Sequence, residues 1–160
     1  MQRKQGIAFS LKYFLSPENN QWFKRTCLVF TFILFDYFST ITFCRTPYEE
    51  ANLFARAFME SYGIPLGLTL FVFVANLPIY MALNLDSHLV KFPPKLTRIV
   101  ETFIDVIFAW FIAGLHFSGG TSWFWYAPNM VRQVLGTVTY LATAFLLIKP
   151  HELNQSNQAR

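Results

Sequence analysis

The residues from Thr26 to Cys44, TCLVFTFILFDYFSTITFC, form an apolar run broken near its middle by one acid, Asp36. At about 1.5 Å per residue a helix of this length crosses the ~30 Å hydrocarbon core of a bilayer. A carboxylate at its centre costs roughly 3 kcal/mol even on a lenient insertion scale, so Asp36 has to face protein or water and not lipid. Ser39 and Thr40 follow it by three and four positions, which puts all three on one helical face. The first helix therefore carries a polar stripe that needs a buried side.

Three more runs of similar character follow. Ile64 to Leu85 carries Asn76 near its middle and Pro78, which removes one backbone donor and is expected to kink the helix. Thr97 to Phe117 carries Glu101 and Asp105 one turn apart and His116 near its far end. Met130 to Ile148 is the least marked, with Gly136, Thr137, Thr139, Ala142, Thr143 and Ala144 supplying small residues for close helix packing. With 54% hydrophobic, 19% aromatic and 14% charged residues among 160, the chain is too apolar for a soluble domain of its size. The expected fold is an all-α integral membrane bundle, one membrane domain over residues 1–160, with crossings at about 26–44, 64–85, 97–117 and 130–148.

Two further helices are expected outside the bilayer. Ile7, Leu11, Phe14 and Leu15 recur at helical spacing behind Arg3 and Lys4; Lys12 and the lack of a small-residue cleavage site disfavour a signal peptide, leaving an N-terminal interfacial helix. Ser16 and Pro17 then read as the start of the first crossing, with Trp22 at the interface. Thr46, Pro47 and Glu49 have the spacing of a capping box, and Gly63 with Pro65 reads as a stop, so a surface helix is expected over 47–62. Its apolar face would be Leu53, Phe54, Ala57 and Phe58. The segment SGGTSWFWYAPN reads as a loop whose Trp123, Phe124, Trp125 and Tyr126 form an interfacial aromatic belt.

The basic residues set the threading. Arg3, Lys4, Lys12, Lys24, Arg25, Lys91, Lys95, Arg98, Lys149 and Arg160 fall on one side of a four-crossing chain, and Arg45, Arg56 and Arg132 on the other. The positive-inside rule then places both termini in the cytoplasm, in a plasma membrane. Glu49, Glu50, Asn52 and His116 fall at the outer side, Asp36 and Asn76 at mid-depth, and Asp105 somewhat toward the cytoplasm. A net charge of +4 sorted in this way signals topology, and no nucleic-acid partner is implied. Cys27 and Cys44, about 25 Å apart along one helix, cannot bond each other.

Asp36 and Asp105 have no mid-membrane lysine or arginine to pair with. They can be protonated and hydrogen-bonded to Ser39, Thr40 or Asn76; they can bind a cation or relay a proton; or an arginine or histidine from a partner chain can meet them. A metal site is a weak candidate, with His116 beside Glu49 or Glu50, because no histidine or cysteine pair has ligand spacing. No nucleophile elbow, Walker loop, dinucleotide glycine pattern or zinc-protease helix occurs, and no cofactor is implied.

The run FDYFSTITFCRTPYEEANLFARAF resembles the signature of an uncharacterised family of small polytopic membrane proteins, largely archaeal, in which an Asp-x-x-Ser/Thr-Thr helix precedes a Glu-x-Asn pair. Asp36, Ser39 and Thr40 match its first part and Glu50 with Asn52 its second; Leu53 stands where the family has proline. The resemblance links Asp36 to Glu50 without implying an activity. With no internal repeat of the transporter kind, the sequence favours a non-catalytic subunit of a larger membrane complex, for example a respiratory or oxygenase-type one, in contact with lipid and other subunits. A small proton- or cation-handling transport protein using Asp36 and Asp105 is the second reading, and a membrane enzyme of unknown reaction the third.

Overall fold

The structure is a computed structural model that describes residues 20–84, 93, 96, 99, 103 and 108–147. The described residues are helical, with no strand among them. Helix α1 is Asn20–Phe43, a 3-10 turn is Pro47–Glu49, α2 is Leu53–Tyr62, α3 is Ile64–Asn84, α4 is Ala109–Ser122 and α5 is Asn129–Leu147. Two segments, Phe23–Phe43 in α1 and Ile64–Leu83 in α3, are long and apolar enough to cross a membrane. The expected N-terminal helix, most of the third crossing with Glu101 and Asp105, and His88 and His151 lie outside the described residues.

Side-chain pairs give the direction of each helix. The Tyr37 hydroxyl is bonded to that of Thr69 at 2.8 Å, and the rings of Phe30 and Tyr80 meet at 6.3 Å, so α1 and α3 run in opposite directions. Asp36 meets His116 and Thr40 meets Trp123, so α1 and α4 run in the same direction. Ser118 bonds Asn129, while a methyl on Gly114 would strike Gln133 and Thr137, so α4 and α5 are antiparallel. Between α1, α4 and α5 lies a core of Val29, Phe32, Ile33, Ala109, Ala113 and Tyr140. Gly136 of α5 lies against the Phe117 side chain, so part of the small-residue face is used within the chain.

The surface helix differs from its expected form. Glu49 does fold back, its carboxylate accepting the Arg45 N–H at 2.7 Å, but it closes only the Pro47–Glu49 turn. The α-helix starts six residues later, where the Asn52 Oδ1 accepts the N–H groups of Phe54 at 3.0 Å and Ala55 at 3.3 Å. Arg56 secures the break by donating to the Glu50 carbonyl from Nε at 3.0 Å and Nη2 at 2.5 Å. Its packed face also differs: Ala55 and Met59 are buried, whereas Leu53 and Phe54 are 70% and 75% exposed.

Geometry at two glycines explains that rotation. Gly63 alone joins α2 to α3, at φ 79° and ψ 160°, a region open essentially to glycine. Four residues on, the backbone of Gly67 lies against the Phe58 carbonyl and the Met59 Cα, the latter 2.6 Å from where a Cβ would stand. The Phe58 ring then meets that of Phe71 at 6.0 Å, tilted by 59°.

Helix α4 also continues past the expected end at Phe117 to Ser122. Gly119 and Gly120, read from sequence as loop residues, stay helical because α1 packs over them: a methyl on Gly120 would stand 2.7 Å from the Phe35 ring. Helix α3 passes through Pro78 unbroken.

Gly67→Ala is expected to lower stability by about 1–3 kcal/mol, since the added methyl meets backbone that cannot give way. Asn52→Ala should cost about 1 kcal/mol and Thr46→Ala less, because only Asn52 caps an α-helix. Thermal unfolding of the three variants in one detergent checks both.

Candidate functional site

The acid that α1 has to accommodate meets a partner in the same chain. Asp36 Oδ2 and His116 Nδ1 lie 2.8 Å apart, with the two side chains 25% and 23% exposed. With Asp36 ionised the imidazole donates from Nδ1, which leaves Nε2 as the free ring nitrogen. The two residues are eighty positions apart in sequence and come from parallel helices.

Glycine makes the approach possible. A Cβ at Gly119 would stand 2.7 Å and 2.8 Å from the two carboxylate oxygens of Asp36, and one at Gly120 would stand 3.0 Å from the Asp36 Cα. Any side chain at Gly119 would occupy the space the carboxylate needs. One turn further along both helices, the Trp123 indole donates to Thr40 Oγ1 at 3.0 Å, and Ser39 and Thr40 are buried. The polar stripe of α1 is thus covered by a matching strip of α4: His116, Gly119, Gly120 and Trp123.

The same end of α4 is also joined to α5. Ser118 donates to the Asn129 Oδ1 at 2.5 Å, and Arg132 donates from Nε to the Ser118 carbonyl at 3.2 Å and from Nη1 to that of Trp125 at 3.2 Å and to that of Ala127. Arg132 therefore holds the α4–α5 connection through backbone carbonyls. Trp123 turns inward to Thr40, while Phe124, Trp125 and Tyr126 stay exposed, so only the latter three fit the aromatic belt.

The expected clusters are redistributed. His116, grouped by sequence with Glu49, Glu50 and Asn52, belongs instead with Asp36. Glu49 is occupied by backbone N–H groups of Arg45 and Thr46, and Asn52 by its cap. Asn76 is not joined to Asp36: it is seven positions beyond Thr69, which sets it about 10 Å further along α3. Its amide donates to the Val72 carbonyl at 2.8 Å, and its buried Oδ1 has no partner among the described residues. Asp105 lies outside the described residues. Among the described residues no three His, Cys, Asp or Glu side chains come together as a metal-binding group.

Glu50 does remain part of the surroundings of Asp36. It is partly buried, and its Oε1 accepts the Asn52 N–H at 2.8 Å. Burial pushes its carboxyl up from the ordinary 4.5, against the lowering effect of the Asn52 N–H; the negative charge of Asp36 adds a lesser push upward, and the Ala51 N–H and Arg56 still smaller ones downward. Of the site residues, the pairing of Asp36 with His116 and the role of Gly119 were missed from sequence. The one available signal was that a histidine and two glycines within five residues, at 116, 119 and 120, share the end of an apolar helix.

The raised Glu50 carboxyl fixes a sign. Folding favours its protonated form, so its contribution is present in full below the ordinary value and is lost as pH rises through the folded value. Glu50→Gln should therefore flatten the pH dependence of stability above pH 4.5 and leave the variant at least as stable as the parent at pH 7. Chemical denaturation between pH 4 and 8 reads this out.

No family model, no curated protein and no solved structure matches the chain, so the chemistry of the site has to be read from its own residues.

Proposed function

We propose that the protein is a four-crossing membrane protein, with both termini cytoplasmic, that takes up and releases a proton at the Asp36–His116 pair. The observation that carries this reading is the 2.8 Å contact between the two side chains at partial exposure. A carboxylate with a neutral imidazole carries one negative charge, and the same pair with one more proton is neutral. Each state has a hydrogen bond available, so the pair can change charge without separating. Histidine is the side chain whose ordinary titration lies in the physiological range, and an intramembrane acid with a titratable partner is the usual form of a proton relay.

The threading has its own support. The directions of α1, α3, α4 and α5 alternate as four crossings require. Lys24 at the start of α1 also reaches the Leu147 carbonyl at the end of α5, at 3.5 Å, as expected where the chain enters and leaves on one side. The Asp-x-x-Ser/Thr-Thr and Glu-x-Asn resemblance agrees with one site drawn from both parts, since Glu50 feels the charge of Asp36.

A second reading, a non-catalytic subunit of a larger membrane complex, is favoured by the apolar side chains exposed along α1, α3 and α5, such as Phe38, Phe73 and Leu146. They accept a neighbouring helix as readily as lipid.

Reconstitution into phosphatidylcholine vesicles loaded with a pH dye separates the two. Under a potassium diffusion potential the parent should carry protons faster than empty vesicles. Asp36→Asn and His116→Gln keep the size of each side chain, should stay folded, and should lower the flux by about a hundredfold, the scale of losing a positioned proton carrier. Flux equal to the parent in both variants, or none in the parent, would sink the proton reading and leave the subunit reading.

A further inference from the structure

We infer that α2 is a re-entrant helix whose first turn, with Leu53 and Phe54, meets lipid acyl chains, and whose last turn alone reaches the headgroups. It stands in the leaflet that receives the end of α1 and the start of α3, in place of a helix lying flat on the surface. The inference rests on the reading that α1 and α3 cross the membrane.

The direction of α2 is set by its contacts with α3. Gly63 alone separates the two helices, so the chain reverses there. Going back along α2 from that reversal leads into the span of α3 and not away from it. The Phe58 carbonyl and the Met59 Cα lie against Gly67, and the Phe58 ring meets that of Phe71. At about 1.5 Å per residue, Gly67 and Phe71 stand roughly 5 and 10 Å beyond Ile64. Both are inside the apolar Ile64–Leu83 segment. Ala55 and Met59 are buried in one cluster with Leu68 of α3, beside Val72 of α3 and Tyr37 and Ile41 of α1, residues from the body of those helices.

The polarity of α2 agrees. A helix lying flat at an interface keeps one apolar and one polar face along its whole length. Residues seven apart share a face to within about 20°. In α2 such pairs change character: exposed Leu53 is followed on its face by exposed Glu60, and exposed Phe54 by exposed Ser61. Polarity is therefore graded along the axis, apolar at the start and polar at the end, where Tyr62 is also exposed, as an interfacial aromatic is. A helix that enters hydrocarbon from one side requires that gradient.

The start of α2 is also built for surroundings without water, where irregular backbone has to be satisfied by the protein itself. The Glu50 Oε1 takes the Asn52 N–H, and the Asn52 Oδ1 takes those of Phe54 and Ala55. Arg56, the one cation of α2, turns back onto the Glu50 carbonyl. Glu49 stays at the end of α1, held by the Arg45 N–H. Leu53 and Phe54 then face acyl chains as the exposed Leu66, Leu70 and Phe73 of α3 do.

Nitroxide labels on single cysteines test this, in a Cys27→Ser, Cys44→Ala background reconstituted into phosphatidylcholine vesicles. Collision with oxygen and with a water-soluble nickel chelate reads the depth of each label. Phe54→Cys should lie about 5–10 Å deeper than Ser61→Cys, at a depth comparable with Leu70→Cys in α3. Equal depths at 54 and 61 beside a deep Leu70→Cys would overturn the re-entrant helix and leave the crossings standing. A water-exposed Leu70→Cys would sink the membrane reading and the inference together. Low collision with both reagents at 54 would mean that a second copy of the chain covers α2, and would overturn the lipid assignment. Should the cysteine-free background not fold, Phe54→p-benzoylphenylalanine in the otherwise unaltered chain takes its place. Irradiation should then give adducts on acyl chains, and adducts confined to headgroups or to protein overturn the inference.

Discussion

A charge inside an apolar helix persists only where another group shares it, and in this chain that group is His116. The packing of α4 on α1 follows from that requirement. Gly119 and Gly120 bring the two backbones close enough for a histidine one turn away to reach the carboxylate. Bulk on either glycine would separate the helices and leave Asp36 without its partner, at the cost of several kcal/mol that an unpaired buried charge carries. The Trp123–Thr40 bond adds a second polar contact further along, so the seam is polar toward this end and apolar where Val29, Phe32 and Ile33 cluster with Ala109 and Ala113.

The second organising contact, between α2 and α3, is made of backbone and not of charge. A single residue links the helices, and Gly67 lets α2 rest directly on α3. Arg56, bonded to the carbonyl of Glu50, transfers that fixed geometry to the turn ahead of α2. The position of the Glu50 backbone thus depends on the hairpin of α2 and α3.

Much of this was legible in the sequence because the apolar runs are long and their periodicity is strong. The expected starts of the α3 and α5 runs, Ile64 and Met130, lie within one residue of the helix starts at Ile64 and Asn129. Gly63 was recognisable as the end of α2 because a glycine before Ile-Pro has few other uses. What failed was the assignment of local signals whose meaning depends on neighbours. Thr46-Pro-Tyr-Glu49 has the spacing of a capping box but closes a 3-10 turn, because Asn52 offers a stronger start six residues before Phe58 meets Phe71. Gly119-Gly120 reads as a loop in isolation and is helical once α1 covers it. His116 was placed by depth alone with the outer acids; depth cannot say which side of α4 it is on, and Asp36 is across the interface.

The distance along the chain between Asp36 and His116 also sets an order of events during synthesis. Eighty residues separate them, and at about 5–20 residues per second the ribosome takes roughly 4–16 s to deliver the histidine after the aspartate. Throughout that interval the first apolar helix exists with its acid unpaired. The nascent chain must therefore hold Asp36 protonated or in water until the end of α4 emerges, and the arrival of His116, more than the formation of α1 itself, is the moment at which the first helix becomes settled in its final surroundings.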